Sequence, residues 1–211
     1  MKETFKECQV VLFQGDSVTD CGRNREDITS LSEGYPGIVA KMYHLLFPGN
    51  KVTFINKGIS GNRVIDLLDR YDADFKALHP DFISILIGIN DTWRRYDSND
   101  VTSAEQFERN YRKLLEKIKS DIPLCRIMVI EPFLLNSLPG LSAWRDDLDP
   151  KIQVVRKLAK EYADYYLPLD GIFAKEEVIR YNCKQLVEDG VHPNPLGHAI
   201  IAEEYLKVLS Q

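Results

Sequence analysis

The sequence predicts an α/β fold in three layers (α/β/α), with a doubly wound, five-stranded parallel sheet between two layers of helices. Three observations support this prediction. Five short segments rich in apolar and β-branched residues recur along the 211 residues, and Gly, Pro or Asp bounds them. Segments with the apolar spacing of amphipathic helices fill the intervals. Strands that alternate with helices in this way are typical of a parallel sheet covered on both faces.

The strand predictions cover five ranges: 9–15, 51–58, 81–88, 126–133 and 165–171. The first, third and fourth are almost wholly apolar, which indicates strands buried on both faces. The first strand, "QVVLFQG", runs directly into Asp16 and Ser17. Because Gly, Asp and Ser are common turn and cap residues, this junction is typical of a plain strand-to-helix turn. It is equally the place where a nucleophilic serine would surface.

Two helices have clear sequence signals. Ser103 and Gln106 predict a capping box for the first of them. Its apolar residues then follow helical spacing: Phe107, Tyr111, Leu114, Leu115 and Ile118. Asn194 and Pro195 predict the start of the last helix. The irregular stretch 136–150, which contains an aromatic residue, is predicted to be a long loop after the fourth strand.

Composition limits the classes of function. A formal net charge of −5 argues against a nucleic-acid partner, which would call for a basic face. No apolar run approaches the roughly 18 to 20 residues of a membrane span. The first residues, "MKETFKECQV", lack the apolar core of a signal peptide, so we expect a cytoplasmic protein. Because no repeat, low-complexity stretch or linker is evident, residues 1–211 are predicted to form one domain.

The cysteines are scattered and form no C-x-x-C motif. We therefore expect reduced thiols rather than a disulfide framework at all four positions: Cys8, Cys21, Cys125 and Cys183. Cys21 lies four residues after Ser17 and is an alternative reactive group. No separate base for this thiol is evident from the sequence.

Polar clusters follow the predicted strands at the edge where ligands bind in such sheets, beyond the carboxyl ends of the strands. Asp16 and Ser17 follow the first strand. The segment "NKGISGN", with Gly58, follows the second, and "GINDTWRR", with Asn90 and Trp93, follows the third. A fourth cluster, "EDGVHPNPLGH", precedes the last helix. We expect these clusters to meet in one cleft.

The fourth cluster offers a base for Ser17. A serine hydroxyl is a poor nucleophile unless a neighbouring base takes its proton, and His192 is the candidate. Asp189, three residues earlier, can reach the other ring nitrogen and orient the imidazole. The alternative is a helix-start signal with a solvated His192. The remaining histidines have no such carboxylate nearby in sequence: His44, His79 and His198.

Oxyanion stabilisation requires donors aimed at one developing negative oxygen. The backbone N–H groups of Ser17 and Gly58 and the side-chain amide of Asn90 are candidates, although a turn glycine and a helix cap are the structural alternatives. Trp93 either covers the sheet edge or lines the acyl or leaving-group pocket. Three nearby acidic residues are expected to cap helices or bind loop amides: Asp16, Asp20 and Asp91.

Four blocks in this order resemble the SGNH hydrolase superfamily, also called GDSL esterases and lipases: Gly15-Asp16-Ser17, Gly58, Gly88-Ile89-Asn90-Asp91 and Asp189-x-x-His192. The blocks span almost the whole chain. The resemblance implies a flavodoxin-like sheet and a Ser–His–Asp hydrolase. It implies that Ser17 is the nucleophile, His192 the base and Asp189 its orienting acid, with Ser17, Gly58 and Asn90 forming the oxyanion hole. Val18 stands where the family label has leucine, a common variation.

Longer stretches are similar to one branch of this superfamily, the bacterial intracellular carbohydrate acetylesterases such as acetylxylan esterases: "GDSVTDCGR", "NKGISGN", "IGINDTWRRYD" and "VHPNPLGHAIIA". The expected substrate is a small acetylated sugar or similar ester, with no cofactor and no metal. Trp93 is then a candidate wall of a small acyl pocket or a stacking surface for the sugar. Leucines of 134–141 leave open a longer acyl channel, as in a lipase, thioesterase or lysophospholipase. An assembly of identical copies is also left open.

Three other classes are less well supported by the residues. An α/β-hydrolase would show G-x-S-x-G, but Val18 and Thr19 follow Ser17. A metal-dependent hydrolase could use the carboxylates and His192, but no H-x-H or H-E-x-x-H spacing is found. A non-catalytic carbohydrate- or nucleotide-binding module of the same fold is the third alternative.

Overall fold

The computed structural model describes residues 4–7 and 9–211. Its sheet has five parallel strands: β1 (Val10–Gly15), β2 (Thr53–Asn56), β3 (Phe82–Leu86), β4 (Arg126–Ile130) and β5 (Tyr165–Leu167). The strand order is β2-β1-β3-β4-β5, which is the flavodoxin-like order of a doubly wound sheet. Each observed strand lies within its predicted range, so the predicted fold class is confirmed, although the predicted strands were too long.

The helices of the described chain are α1 (Ser17–Asp20), α2 (Tyr35–Leu46), α3 (Val64–Asp69), α4 (Tyr71–Asp74), α5 (Ile89–Asp97), α6 (Ala104–Asp121), α7 (Arg145–Tyr162), α8 (Leu169–Ile179), α9 (Cys183–Leu186) and α10 (Pro195–Leu209). Short 3₁₀ turns lie at Lys76–Leu78 and Leu141–Trp144. In this part of the chain no helix is both long and apolar enough to span a membrane.

Both faces of the sheet are covered, which explains the almost wholly apolar strands. Along β1, Val11 and Phe13 pack into one buried cluster with residues of α2 and α10. Leu12, between them, packs into the opposite cluster with residues of α3, α6 and α7. Successive side chains of a strand point to opposite faces. An unbroken apolar run is therefore what a strand between two helix layers requires.

Two predicted helix starts are confirmed by their caps. The Ser103 hydroxyl accepts a hydrogen bond from the backbone N–H of Gln106 at 3.2 Å. The side chain of Asn194 accepts from the N–H groups of Leu196 at 3.0 Å and Gly197 at 3.1 Å. Each side chain thereby satisfies backbone donors that have no partner within the helix.

The predicted loop at 136–150 is wrong from Leu141 onward. A 3₁₀ turn begins at Leu141, and α7 begins at Arg145 with Pro150 inside it. Leu148 and Ile152 are buried on the same face of α7. Burial of that apolar face outweighs the hydrogen bond that Pro150 cannot donate.

The register of the sheet fixes the location of the site. Gly15 of β1 lies opposite Leu86 of β3, and Phe13 of β1 lies opposite Asn56 of β2. The loops that leave these three strands therefore start beside one another. They carry Ser17 and the segments around Gly58 and Asn90.

Candidate active site

Ser17 occupies a tight junction between β1 and α1. A Cβ atom on Gly15 would collide with Thr19 and with the backbone carbonyl of Leu86, so only glycine fits there. The Asp16 side chain caps α1 by accepting from the N–H of Val18 at 3.0 Å. Because Ser17 is the first residue of α1, its own N–H has no partner within the helix.

His192 lies at the end of a turn that Asp189 holds together. Asp189 Oδ1 accepts from the N–H groups of Val191 at 3.1 Å and His192 at 2.9 Å. Gly190 has a φ of +93°, in the left-handed region that favours glycine, and a Cβ there would collide with Leu141. The turn therefore presents the imidazole in one orientation.

Ser17, His192 and Asp189 come together as one hydrogen-bonded chain. Ser17 Oγ lies 2.8 Å from His192 Nε2, and His192 Nδ1 lies 2.7 Å from Asp189 Oδ2. An Asp189 carboxylate accepts the Nδ1 hydrogen, which leaves Nε2 of the neutral ring free to accept from the serine. The side chain of His192 is 39% exposed, so a substrate can reach it.

The carboxyl of Asp189 is held in its ionised form. Partial burial raises the pKa of this group, but hydrogen bonds from the backbone N–H and ring of His192 and from Val191 outweigh it and leave the pKa below the usual value. Asp189 is thus a carboxylate at neutral pH and can stabilise an imidazolium on His192.

Asn90 lies at the start of α5 and is buried. One hydrogen of its side-chain amide goes to the backbone carbonyl of Asn62 at 3.1 Å. The amide has two hydrogens, so the second is available to a ligand. Gly88, before α5, has a φ of +131°, and a Cβ there would press on Phe107 and Pro132.

Gly58 lies against α1, where a Cβ would collide with the backbone of Thr19 and Asp20. Its N–H donates to Asn56 Oδ1 at 2.9 Å. Asn56 is oriented by its amide group, which donates to the carbonyl oxygens of Thr19 at 2.7 Å and Leu31 at 3.1 Å. The predicted oxyanion donor at Gly58 is therefore already engaged. It can bind a substrate oxygen only by sharing its hydrogen between two acceptors.

Trp93 lies beside the imidazole, with ring centroids 5.7 Å apart. The ring of Trp93 also lies 5.3 Å from that of Trp144, and Trp144 stacks on Tyr96 at 4.9 Å. These rings come from α5 and from the 3₁₀ turn that was predicted to be loop. The sequence singled out Trp93 but not Trp144 or Tyr96, because only tertiary contacts bring them together.

The three acidic residues have the structural roles expected of them. Asp16 caps α1, Asp20 accepts from the N–H of Ser60 at 3.0 Å, and Asp91 accepts from the N–H of Val64 at 3.2 Å. Burial raises the pKa of Asp16 to about 7, with opposing contributions from Val18 and His192. Burial likewise raises the pKa of Asp91 to about 7.

Cys21 has a neighbouring imidazole that the sequence did not reveal. His198 Nε2 lies 3.3 Å from Cys21 Sγ, and His198 Nδ1 accepts from the N–H of Tyr35 at 3.2 Å. In the neutral ring the hydrogen is then on Nε2, which cannot take the thiol proton. Burial lowers the pKa of His198 to about 4 and raises that of Cys21. This pair therefore lacks the features of an activated thiol.

The two remaining histidines lie outside the cleft. His44 is in α2 and contacts the carbonyl of Val52 at 3.1 Å, and His79 ends a 3₁₀ turn. Cys21, Cys125 and Cys183 are free thiols, and Cys8 is outside the described residues. Among residues 4–7 and 9–211, no group of three His, Cys, Asp or Glu side chains could hold a metal ion.

Comparisons with known proteins show which family this chain is similar to. The model of the GDSL-like lipase/acylhydrolase family matches residues 13–200. An acetylxylan esterase from Geobacillus stearothermophilus is 34% identical over 206 residues, which cover 93% of this chain and 92% of that protein. Thioesterase 1/protease 1/lysophospholipase L1 of Escherichia coli K12 is 25% identical over 199 residues, covering 94% and 82%.

Solved structures show the same relationship. The crystal structure of an acetylxylan esterase from Geobacillus stearothermophilus superposes with a TM-score of 0.89 at 31% identity, covering 99% of this chain and 97% of that one. Structures described as catalytic mutants of that esterase have alanine in place of a serine, an aspartate or a histidine. The family match and these relatives identify the chain as a member of the GDSL-like lipase/acylhydrolase family and a carboxylic ester hydrolase.

Proposed function

We propose that this enzyme removes acetyl groups from an acetylated carbohydrate through an acyl-enzyme intermediate on Ser17. The observation that carries the proposal is the hydrogen-bonded chain in which His192 lies 2.8 Å from Ser17 Oγ and 2.7 Å from Asp189 Oδ2. A non-catalytic binding module has no need of such an arrangement. The substrate class is supported by the acetylxylan esterase that is 34% identical over 93% of this chain.

In the first half-reaction, His192 Nε2 takes the Ser17 hydroxyl proton as Oγ bonds to the acetyl carbon. The carbonyl π electrons move to its oxygen, which becomes the oxyanion of a tetrahedral intermediate. When the carbonyl re-forms, the bond to the sugar oxygen breaks, and the imidazolium gives its proton to that leaving oxygen. Asp189 stabilises the imidazolium and remains ionised.

In the second half-reaction, water replaces the sugar. His192 takes a proton from the water as its oxygen bonds to the acetyl carbon, and a second tetrahedral intermediate forms. Collapse of this intermediate breaks the bond to Ser17 Oγ, which recovers its proton from His192. Acetic acid is released and loses its proton to the solvent as acetate, and the enzyme returns to its starting state.

The oxyanion is bound by the N–H of Ser17 and the second amide hydrogen of Asn90. Both are fixed before the substrate arrives, Ser17 by α1 and Asn90 by its bond to Asn62. Gly58 adds a third donor when its N–H is shared with the side chain of Asn56. Preorganised donors of this kind are typically the largest electrostatic contribution to acyl transfer.

A short acyl group fits the surroundings better than a long chain. Of the leucines that could form an acyl channel, Leu134, Leu135 and Leu141 are buried in packed clusters. Only Leu138 is substantially exposed, at 45%. A cavity next to α1, whose lining includes Asp16, Val18 and Val191, has a volume of about 10 Å³, room for about one water molecule. We infer that Trp93 forms the wall that limits acyl length.

Release of acetate from acetylated xylo-oligosaccharides and acetylated monosaccharides, compared with hydrolysis of longer acyl esters and acyl thioesters, tests this proposal. We expect turnover of the acetylated sugars to exceed that of octanoyl substrates by at least tenfold in kcat/KM. A preference for the long-chain ester or thioester would replace the proposal with a lipase or thioesterase function.

A further inference from the structure

The loop after β2, residues 57–61, lies directly on α1. Besides the close approach of Gly58 to Asp20, the N–H of Ile59 donates to the carbonyl of Gly15 at 3.1 Å. The segment that carries Gly58 and the segment that carries Ser17 are therefore in backbone contact. Their relative position sets the geometry in which the two N–H groups meet a substrate oxygen.

The carboxylate of Asp20 joins these two segments. Asp20 is the last residue of the single-turn helix that begins at Ser17, and it is only 2% exposed. Its Oδ2 accepts from the backbone N–H of Ser60 at 3.0 Å and from the Ser60 hydroxyl at 2.9 Å. The Arg25 guanidinium donates to the same oxygen.

Asp20 is ionised despite its burial. Burial raises its pKa, but the hydrogen bonds from Arg25 and Ser60 outweigh it and leave the pKa below the usual value. Charge-assisted hydrogen bonds are stronger than neutral ones. An ionised Asp20 therefore holds Ser60 more firmly than a neutral side chain of the same shape would.

Arg23 makes the second connection. Its Nε donates to the carbonyl oxygen of Gly58 at 3.0 Å and lies 3.9 Å from Asp20 Oδ1. Arg23 is itself buried. The N–H of Gly58 is bound by Asn56 and its carbonyl by Arg23, so both peptide groups of this residue are held in place.

We propose that Asp20 and Arg23 are positioning residues for the oxyanion hole, which fix the 57–61 loop on α1 so that Gly58 and Ser17 face the same substrate oxygen. Neither touches the reacting atoms, and this inference rests on the proposed acyl-transfer function. A buried ion pair is a weak source of net stability. The Asp20–Arg23 pair lies between the segment that carries Ser17 and the segment that carries Gly58, and it determines how these two segments are oriented.

The Asp20→Asn variant tests this proposal. Asparagine keeps the volume and one acceptor for Ser60 but removes the charge that faces Arg23 and Arg25. With p-nitrophenyl acetate we expect kcat to fall at least tenfold while KM stays within twofold. Binding of a boronic acid, which forms a tetrahedral adduct with the active-site serine, should weaken by a similar factor. Thermal unfolding shows whether the variant is folded at the assay temperature.

Asp27→Asn is the matched control, because Asp27 lies in the segment after α1, has an exposed side chain and accepts from Thr29. We expect it to leave kcat and boronate affinity unchanged. Ser60→Ala is a milder second variant, which removes one hydrogen bond to Asp20 and keeps all charges. It should lower kcat and boronate affinity together by about twofold to fivefold. If Asp20→Asn does not fold, Ser60→Ala tests the proposal in its place.

Unchanged kcat and boronate affinity in a folded Asp20→Asn protein would overturn the positioning role. So would the same result in Ser60→Ala if Asp20→Asn does not fold. Ser17→Ala measured alongside separates the two proposals. If Ser17→Ala turns over the ester as fast as the unmodified enzyme, the acyl-enzyme function itself fails, whatever Asp20 does.

Discussion

Asp189 both shapes the turn that carries His192 and binds its ring. One carboxylate oxygen accepts the backbone N–H of His192 at 2.9 Å, and the other lies 2.7 Å from Nδ1 of the same residue. A single side chain thus sets the position, the tautomer and the electrostatic environment of the imidazole. Loss of its charge and loss of its shape should have separable effects.

Asp189→Asn tests the charge. Asparagine keeps an oxygen that can accept from the turn, so we expect the protein to fold with a melting temperature within a few degrees of the unmodified enzyme. It cannot hold a charged imidazolium and tends to stabilise the wrong tautomer, so kcat should fall by about 10²–10⁴-fold. Steady-state kinetics on an acetate ester, with thermal unfolding as the control, measure both. Near-normal turnover would mean that another group orients His192.

Asn90→Ala tests the oxyanion hole. Removal of one oxyanion donor typically costs about 10²–10³ in kcat. Because the amide also donates to the Asn62 carbonyl, some loss of stability should accompany this effect. KM for p-nitrophenyl acetate should change little, since the interaction strengthens in the transition state. Asn110→Ala, on α6, is the control for replacing an asparagine. A raised KM with kcat preserved would instead assign Asn90 to substrate binding.

Asp16 should make stability depend on pH. Burial raises its pKa in the folded protein to about 7, against about 3.9 in an unfolded chain. Between these values the unfolded state releases the proton while the folded state retains it. Ionisation then favours unfolding, and this group alone lowers the unfolding free energy by about 1.4 kcal/mol for each unit of rising pH. The contribution is fully present below about pH 4 and lost above about pH 7.

Asp16→Asn removes this titration and keeps an acceptor for the N–H of Val18. The unmodified protein should lose stability from pH 5 to pH 8 through this titration, and Asp16→Asn should not. The unfolding free energy of Asp16→Asn minus that of the unmodified protein should therefore increase from pH 5 to pH 8. Urea denaturation of both proteins at the two pH values measures the difference. A difference that stays constant between the two pH values, or that decreases from pH 5 to pH 8, would show that the pKa of Asp16 is not raised in the folded state.

Trp93→Ala tests the limit on acyl length. Each additional buried methylene would favour a longer acyl group by about 0.8 kcal/mol, so a preference for acetate requires a steric wall. We expect the unmodified enzyme to prefer acetate over butyrate and octanoate, and Trp93→Ala to shift toward the longer esters. Trp144→Ala is the matched control, because it removes the next ring and leaves Trp93 in place. An unchanged profile in Trp93→Ala would make that residue a packing element only.

Much of the fold could be predicted because local pattern and tertiary environment agree. Val11, Leu12 and Phe13 are all apolar since their side chains enter two different buried clusters. The start of α7 could not be predicted, because Pro150 and the surrounding Asp residues are typical of loops. Only the buried positions of Leu148 and Ile152, which depend on packing, show that the helix continues through the proline.

The candidate site likewise combines contacts that the sequence predicts with contacts that depend on tertiary packing. Asp189 and His192 are three residues apart, so their contact follows from spacing within one turn. The contacts of Gly58 do not: its N–H is bound by Asn56, and its carbonyl by Arg23. These bonds depend on the orientation of a side-chain amide and a guanidinium across separate elements. No periodicity in the sequence reports such orientations.

The acyl-enzyme on Ser17 is tested most directly by labelling with a fluorophosphonate and locating the adduct by peptide mass spectrometry. We expect one adduct, on Ser17, and parallel loss of ester hydrolysis as labelling proceeds. Ser17→Ala should take up no label and should lose hydrolysis by several orders of magnitude while remaining folded. An adduct on another serine, or a labelled and active Ser17→Ala protein, would contradict this expectation.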